Sequence, residues 1–259
     1  MAGVPDAVLY KIVRAQEHLQ ALETEMAGYY KTHPAKVVRQ NEGAPNEYVA
    51  RVVTEDPVPA KLPVILGDFL QNLRSSLDYL VWELVLAAKN APAKHNMFPI
   101  CSTPDAFRDA TVKQRRLAGV PAIATTVIEC LQPYNCGDFS KSLLWIIDDL
   151  CNINKHRRVP LTRMHGGVAP EDTETKVVDG EVWTHVDLAK LKDDAKIGPF
   201  PVVDGSEGPG IQVPTNLHVI AFIAFDEGAA KGMHVTAVMA GMLEYVYKDV
   251  MPLFNEFFS

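Results

Sequence analysis

A single apolar stripe over residues 63 to 89 constrains this chain more than any other feature. Leu66, Leu70, Leu73, Leu77, Leu80, Leu84 and Ala88 recur at three- and four-residue spacing, which puts them on one face of a long helix. Pro63 suits the first helical turn and Pro92 ends the run. Two further segments carry the same signal. Residues 6 to 31 place Val8, Ile12, Ala15, Leu19, Leu22 and Met26 on one face, and His33-Pro34 stops them. Ser140 is the expected cap of a helix running to about His156, with Leu143, Leu144, Ile147, Leu150 and Cys151 inside. Helices 6–31, 63–89 and 140–156 therefore build a bundle.

Shorter elements fill the intervals. Thr103-Pro104-Asp105 opens a short helix with Thr103 as its cap, and Pro121 opens another that Gln132-Pro133-Tyr134 breaks. The segment from Asn96 to Pro99 reads as extended. Residues 35–40 and 47–54 are β-rich and flank a turn-forming stretch, which predicts a hairpin. After Val159 the pattern changes to strands at 159–164, 174–178, 181–188 and 217–225, with Asp179-Gly180 as a hairpin turn. Residues 192–215 are rich in Gly, Pro and Asp and read as a surface loop. A turn at Asp226-Glu227-Gly228 precedes a closing helix over 236–258, which Pro252 is expected to kink. Helices in the first part and strands in the next argue for an α+β fold. The expectation is one domain over 1–259: a helical part mainly in 1–157, a β-rich part in 158–226, the closing helix, and one antiparallel sheet that includes the early hairpin.

The composition removes several functional classes. With 259 residues, 25 basic and 32 acidic side chains and a net charge of −7, broad non-specific nucleic-acid binding is disfavoured, although a local basic patch is compatible with it. The four cysteines, Cys101, Cys130, Cys136 and Cys151, match no zinc spacing and are expected to be reduced thiols. The N-terminal segment is charged throughout, unlike a signal peptide, and no apolar run is long enough to span a membrane. A cytoplasmic protein without membrane association is expected. Phosphate-loop, dinucleotide-fold and hydrolase-elbow motifs are absent from the sequence, and so is H-E-x-x-H, so neither a cofactor nor a metal is expected. Trp82, Trp145 and Trp183 read as packing residues.

Two polar clusters remain. At about 100° per residue, Arg74 and Asp78 flank the buried stripe centred on Leu73 and lie four residues apart, close enough to pair along the helix. One reading is an ordinary ion pair worth ~0.3–0.5 kcal/mol. The other is an arginine held ready for a phosphate or carboxylate. In the second cluster Asp148, Asn152 and His156 share one face, and Lys155, His156, Arg157 and Arg158 gather at a helix C-terminus. The helix dipole alone accounts for cations there. Functionally, His156 could move a proton beside cations that hold a phosphate.

The strings Gly67-Asp68, Asn72-Leu73-Arg74-Ser75-Ser76-Leu77-Asp78, Phe98-Pro99-Ile100, Leu131-Gln132-Pro133-Tyr134, and Leu144-Trp145 followed by Asn154-Lys155-His156-Arg157 resemble an uncharacterised bacterial protein family. In it an N-L-R-S-x-L-D-H helix precedes F-P-I, Q-P-Y and a helix ending D-K-H-R. The resemblance covers roughly residues 1 to 165. The family's R-x-x-x-x-H stretch is similar to the signature of HEPN domains, helical bundles that often act as metal-independent ribonucleases.

The resemblance implies that Arg74 stabilises a phosphate and that a histidine moves a proton during attack by a 2′-hydroxyl. Here Tyr79 stands where the family has His, and Asn154 where it has Asp. A tyrosine, with a pKa of about 10, is a poor general base at neutral pH, so His156 would supply the proton transfer. Arg74 and His156 are the implied catalytic pair, with Asp78, Tyr79, Asn152, Lys155 and Arg157 as ligand-binding residues. The implied fold is a HEPN-like bundle beside an antiparallel sheet, and by analogy a homodimer. Two functions stay open: binding of RNA or another phosphate-bearing ligand with weak or lost nuclease activity, or a structural or protein-interaction role in which the ion network only fixes helix packing.

Overall fold

The computed structural model describes residues 3–32, 36–41, 48–53, 57–168, 191–192, 196–200, 202–205, 208–211 and 218–258. The strands expected at 174–178 and 181–188, and Trp183, lie outside these residues. The chain forms two compact units, one of residues 1–26, 60–160 and 225–259 and the other of residues 27–59 and 161–224. The described chain is mostly helical with short strands, an α+β composition.

The first unit is helical because its periodic stripes find each other. Helix α1 (Asp6–Thr32) buries Val8, Ile12, Ala15, Leu19, Leu22 and Met26, the face that the spacing predicts. Helix α2 (Lys61–Ala87) is buried over more than one stripe, since Leu62, Ile65, Phe69, Val81 and Val85 join the leucine row. An element covered on most of its circumference is the centre of its unit. α2 ends before Pro92 is reached. The Lys89 N–H donates to the Leu86 carbonyl at 2.8 Å and the Asn90 N–H to that of Val85 at 3.1 Å. With Lys89 at φ 58°, this is a Schellman stop built on a lysine in the left-handed region. Ala88, expected in the stripe, is therefore the cap residue.

Helices α3 (Pro104–Arg108) and α4 (Ala122–Cys130) follow, separated by a π-helical turn at Thr111–Arg116. The Thr103 hydroxyl caps α3 by accepting the Ala106 N–H at 3.2 Å, as expected. Helix α5 (Leu143–His156) begins later than Ser140. Ser140 belongs to a short 3-10 turn, where its N–H and hydroxyl both donate to Asp138, and Ser142 takes the cap position. The polar groups of Ser140 are spent on that turn. The closing helix starts at Val235 as α6 (Val235–Glu244) and continues through a π segment (Tyr245–Val250) into a 3-10 segment (Met251–Phe258). Pro252, which has no N–H to give to the preceding turn, lies in the last of these.

The second unit holds the strands. An early hairpin pairs β1 (Lys36–Asn41) antiparallel with β2 (Tyr48–Val53), and β2 pairs antiparallel with β5 (Lys196–Phe200). A separate sheet has the order β4 (Leu191–Lys192), β3 (Leu161–Val168), β8 (His218–Phe225). The early hairpin thus joins one later strand, not all of them. Residues 192–215, expected as a loop, contain β5, β6 (Val202–Gly205) and β7 (Gly208–Ile211), the last two an antiparallel hairpin. Short strands tolerate Gly and Pro where the ladder is brief, which hides them from a compositional reading. Within this unit the Tyr30 hydroxyl accepts the Ile223 N–H at 2.7 Å, and the Arg163 guanidinium lies 4.6 Å from the centre of the Tyr29 ring.

Candidate functional site

Arg74 and Asp78 do pair on α2, with Nη2 3.2 Å from Oδ1, and their common target is the backbone of one residue. Arg74 Nη2 donates to the Phe98 carbonyl at 2.6 Å, and the Phe98 N–H donates to Asp78 Oδ1 at 2.9 Å. The two side chains thus take the place of a neighbouring strand for Phe98, whose ring is fully buried. Gln132, also fully buried, holds the other side of the same segment. Its Oε1 accepts the Cys101 N–H at 2.9 Å, and its Nε2 donates to the carbonyls of Pro99 at 3.0 Å and Ile128 at 2.9 Å. Residues of α2, residues 98–101 and Gln132 just after α4 form one latch.

The latch is costly to break because its arginine is largely buried. The Arg74 side chain is 13% exposed and that of Asp78 31%. Burial raises the Asp78 carboxyl above the ordinary carboxylate range, against the opposing pull of Arg74, the Phe98 N–H and Lys155. Arg74 Nη1 is buried and has no hydrogen-bond partner among the described residues.

α5 supplies the facing side. Cys151 lies against α2, with Sγ 3.6 Å from the Leu70 carbonyl, and burial pushes its thiol up to about 12. Asp148 and Lys155 act electrostatically on both Cys151 and Asp78. Asn152 bridges them, donating to Asp148 Oδ2 at 3.0 Å and accepting from Lys155 Nζ at 3.2 Å. Two residues on, the Asn154 amide fills the space a side chain on Gly67 would need, since a Cβ there would stand 2.7 Å from its Oδ1. Asn154 and Gly67 thus fix the α2–α5 crossing.

The rest of the expected site lies elsewhere. The His156 side chain is exposed and makes no hydrogen bond or ion pair with any described residue. Arg157 turns to Glu227, with Nη2 2.8 Å from Oε2 and 2.7 Å from Oε1. Asp149 Oδ2 accepts the Ala229 N–H at 2.7 Å, so α5 holds the 226–229 turn at two points. Gly228, at φ 77°, sits where a Cβ would come within 2.6 Å of Asp149 Oδ2. Tyr79 is on the opposite flank of α2 from Asp78, 43% exposed, with Lys11 Nζ 5.4 Å from its ring centre. Trp82 is likewise on the open face at 42% exposure, not in the core, while Trp145 meets Phe139 edge-on at 5.0 Å.

The structure pairs Arg74 with Asp78 and Asn152 with Lys155, and gives His156, Arg157 and Tyr79 other surroundings. Gln132 and Asp149 were not expected at a site. Gln132 stood in the quoted Q-P-Y string, but its partners are distant in sequence.

Among the described residues no cluster of His, Cys, Asp and Glu could hold a metal ion, and no helix is long and apolar enough to cross a membrane. Comparison with protein-family models, curated proteins and solved structures returns no match for this chain.

Proposed function

We propose that this chain is a non-enzymatic interaction protein in which the Arg74–Asp78 pair is an architectural latch. One observation carries the reading: both charged groups are bonded to the Phe98 backbone, leaving the pair little freedom to meet a substrate. A general acid or base must come within hydrogen-bond reach of the proton it moves and work with its phosphate-holding partner. The only histidine in the expected set makes no bond to Arg74. Tyr79, at the position of the family's histidine, is turned towards α1.

A second reading is favoured by the unpartnered Nη1 of Arg74. That nitrogen is buried, so a phosphate-bearing ligand or RNA would first meet the exposed Lys155 and Asn152, on a HEPN-like bundle whose nuclease activity is weak or lost. A HEPN-like homodimer belongs to this reading too.

RNA degradation by purified protein, beside folded Arg74→Ala and His156→Ala variants, separates the two. Intact RNA with all three proteins, and lower stability only in Arg74→Ala, is the expected result. Cleavage by the parent that both variants abolish would replace the first reading with a phosphodiesterase.

A further inference from the structure

Charge is distributed unevenly along this chain. Residues 89–116 carry six basic and two acidic side chains, a net +4 within a total of −7, so the remainder carries −11. The fold brings segments of this stretch together. Asn96 is buried and binds both sides of a chain reversal. Its Oδ1 accepts the Ala93 N–H at 2.6 Å, and its Nδ2 donates to the carbonyls of Arg116 at 3.1 Å and Ala118 at 3.0 Å. The Met97 N–H also donates to the Arg116 carbonyl, at 3.2 Å. Just after α2, Asn90 Nδ2 donates to the Gly119 carbonyl at 2.9 Å. Residues 90–97 are therefore tied to residues 116–119, next to the π-helical turn that holds Lys113 and Arg115.

Lys89, Lys94, Lys113 and Arg115 are exposed, and none makes an ion pair with a described residue. Arg115 Nη2 lies 3.1 Å from His95 Nε2. A guanidinium has no acceptor, so the imidazole accepts and is neutral in this contact. The histidine thus orients the guanidinium without cancelling its charge. The local carboxylates are used elsewhere: Asp109 accepts the Thr111 N–H at 2.7 Å, and Asp105 lies 3.8 Å from Arg108. Arg116 is half-buried in a groove that both aspartates line, and is not counted with the four. Like charges on adjoining segments repel one another, and a negatively charged partner relieves that repulsion.

We propose that this surface, residues 89–95 with 113–115, docks an acidic segment of a partner protein, whose carboxylates pair with Lys89, Lys94, Lys113 and Arg115. The proposal rests on the interaction-protein reading and names the chemistry of its partner. Two observations favour a polypeptide over other polyanions. The exposed large apolar side chains of residues 86–123 are Leu86 and Ile123, so the surface has no exposed aromatic ring on which a base could stack. A nucleic acid or an anionic bilayer also reaches well past the surface, onto a chain that is otherwise strongly acidic. Such repulsion is screened beyond a Debye length of about 8 Å in physiological salt, so a short segment confined to the surface escapes most of it.

The test is amide chemical-shift mapping on the ¹⁵N-labelled full chain. The probe is blocked hexaglutamate, and the competing polyanions are hexauridylate and phosphatidylserine vesicles. The amides of Lys94, His95, Lys113 and Arg115 are expected to shift saturably with the peptide. Lys113→Glu, and separately Lys94→Glu, should weaken binding by about tenfold, because each replaces an attraction by a repulsion. Arg158→Glu makes the same change of net charge just after α5 and should leave the affinity within about twofold. Equal losses in all three variants would mean that net charge alone is read, and would overturn the surface. Tighter binding of hexauridylate or of the vesicles, with changes at the same amides, would overturn the acidic polypeptide as its occupant. No saturable shift with the peptide, beside intact RNA, would sink the surface alone. Cleaved RNA would sink the interaction-protein reading and the proposal with it.

Discussion

Arg74 on α2 and Arg157 at the end of α5 are the same residue type, each paired with a carboxylate, and the fold treats them differently. Arg74 sits mid-helix, is 13% exposed, and is bonded to a carboxylate and to a main-chain carbonyl. Arg157 follows the last turn of α5, is 62% exposed, and meets the single, part-buried carboxylate of Glu227 with no main-chain partner for its side chain among the described residues. An exposed pair gains little because solvent screens it. A buried pair gains little over an apolar substitute, yet losing one partner is costly because the other charge stays desolvated and alone. What separates the regions is the burial of the arginine and its backbone partner, not the residue type.

The largest effect should follow from cutting the latch. Asp78→Ala strands both the Arg74 charge and the Phe98 N–H, and is expected to lower unfolding stability by about 3 kcal/mol in urea titration. A loss below that of Arg157→Ala would erase the contrast. Asp78→Asn should cost less, since an amide oxygen still accepts from Phe98.

The same pair gives a pH signature. Burial raises the Asp78 carboxyl, so between its unfolded value of about 3.9 and its higher folded one the native state binds more protons than the unfolded state. Stability from this group is then full below the unfolded value and falls as pH rises through the folded one. The difference between parent and Asp78→Asn stability should decline with rising pH over that window. A difference that grows would mean that the pair stabilises the ionised form.

Next comes the turn that carries Arg157's partner. Gly228→Ala places a Cβ at φ 77° and against Asp149, and should cost about 1–2 kcal/mol, read as a lowered urea midpoint. The smallest effects belong to the exposed cations. Arg157→Ala should cost no more than about 1 kcal/mol, and His156→Ala should lie within about 0.5 kcal/mol of the parent. A large loss in His156→Ala would give that residue a structural partner.

Much of the helical unit was legible in the sequence, because 3.6-residue periodicity records burial directly. The apolar faces of α1 and α2 are the ones the spacing gives. The pairing of Arg74 with Asp78 was legible too, since it lies within one helix. Their target was not: Phe98 is a contact across a chain reversal that no local pattern encodes, and the same holds for Gln132 with Cys101 and Arg157 with Glu227. Trp82 was misjudged by residue type, although it stands half a turn from Leu73 on the wheel, where solvent lies. The strands inside 192–215 were hidden because Gly and Pro punctuate short hairpins as readily as loops.

The central claim is that Asp78 and Gln132 hold opposite sides of one extended segment, and amide hydrogen exchange at Phe98 and Cys101 tests it most directly. Both amides should be protected in the parent. Asp78→Ala should release Phe98 while Cys101 remains slow, and Gln132→Ala should release Cys101 first. Rapid exchange at Phe98 in the parent, or an Asp78→Ala variant in which its protection is unchanged, would contradict the latch.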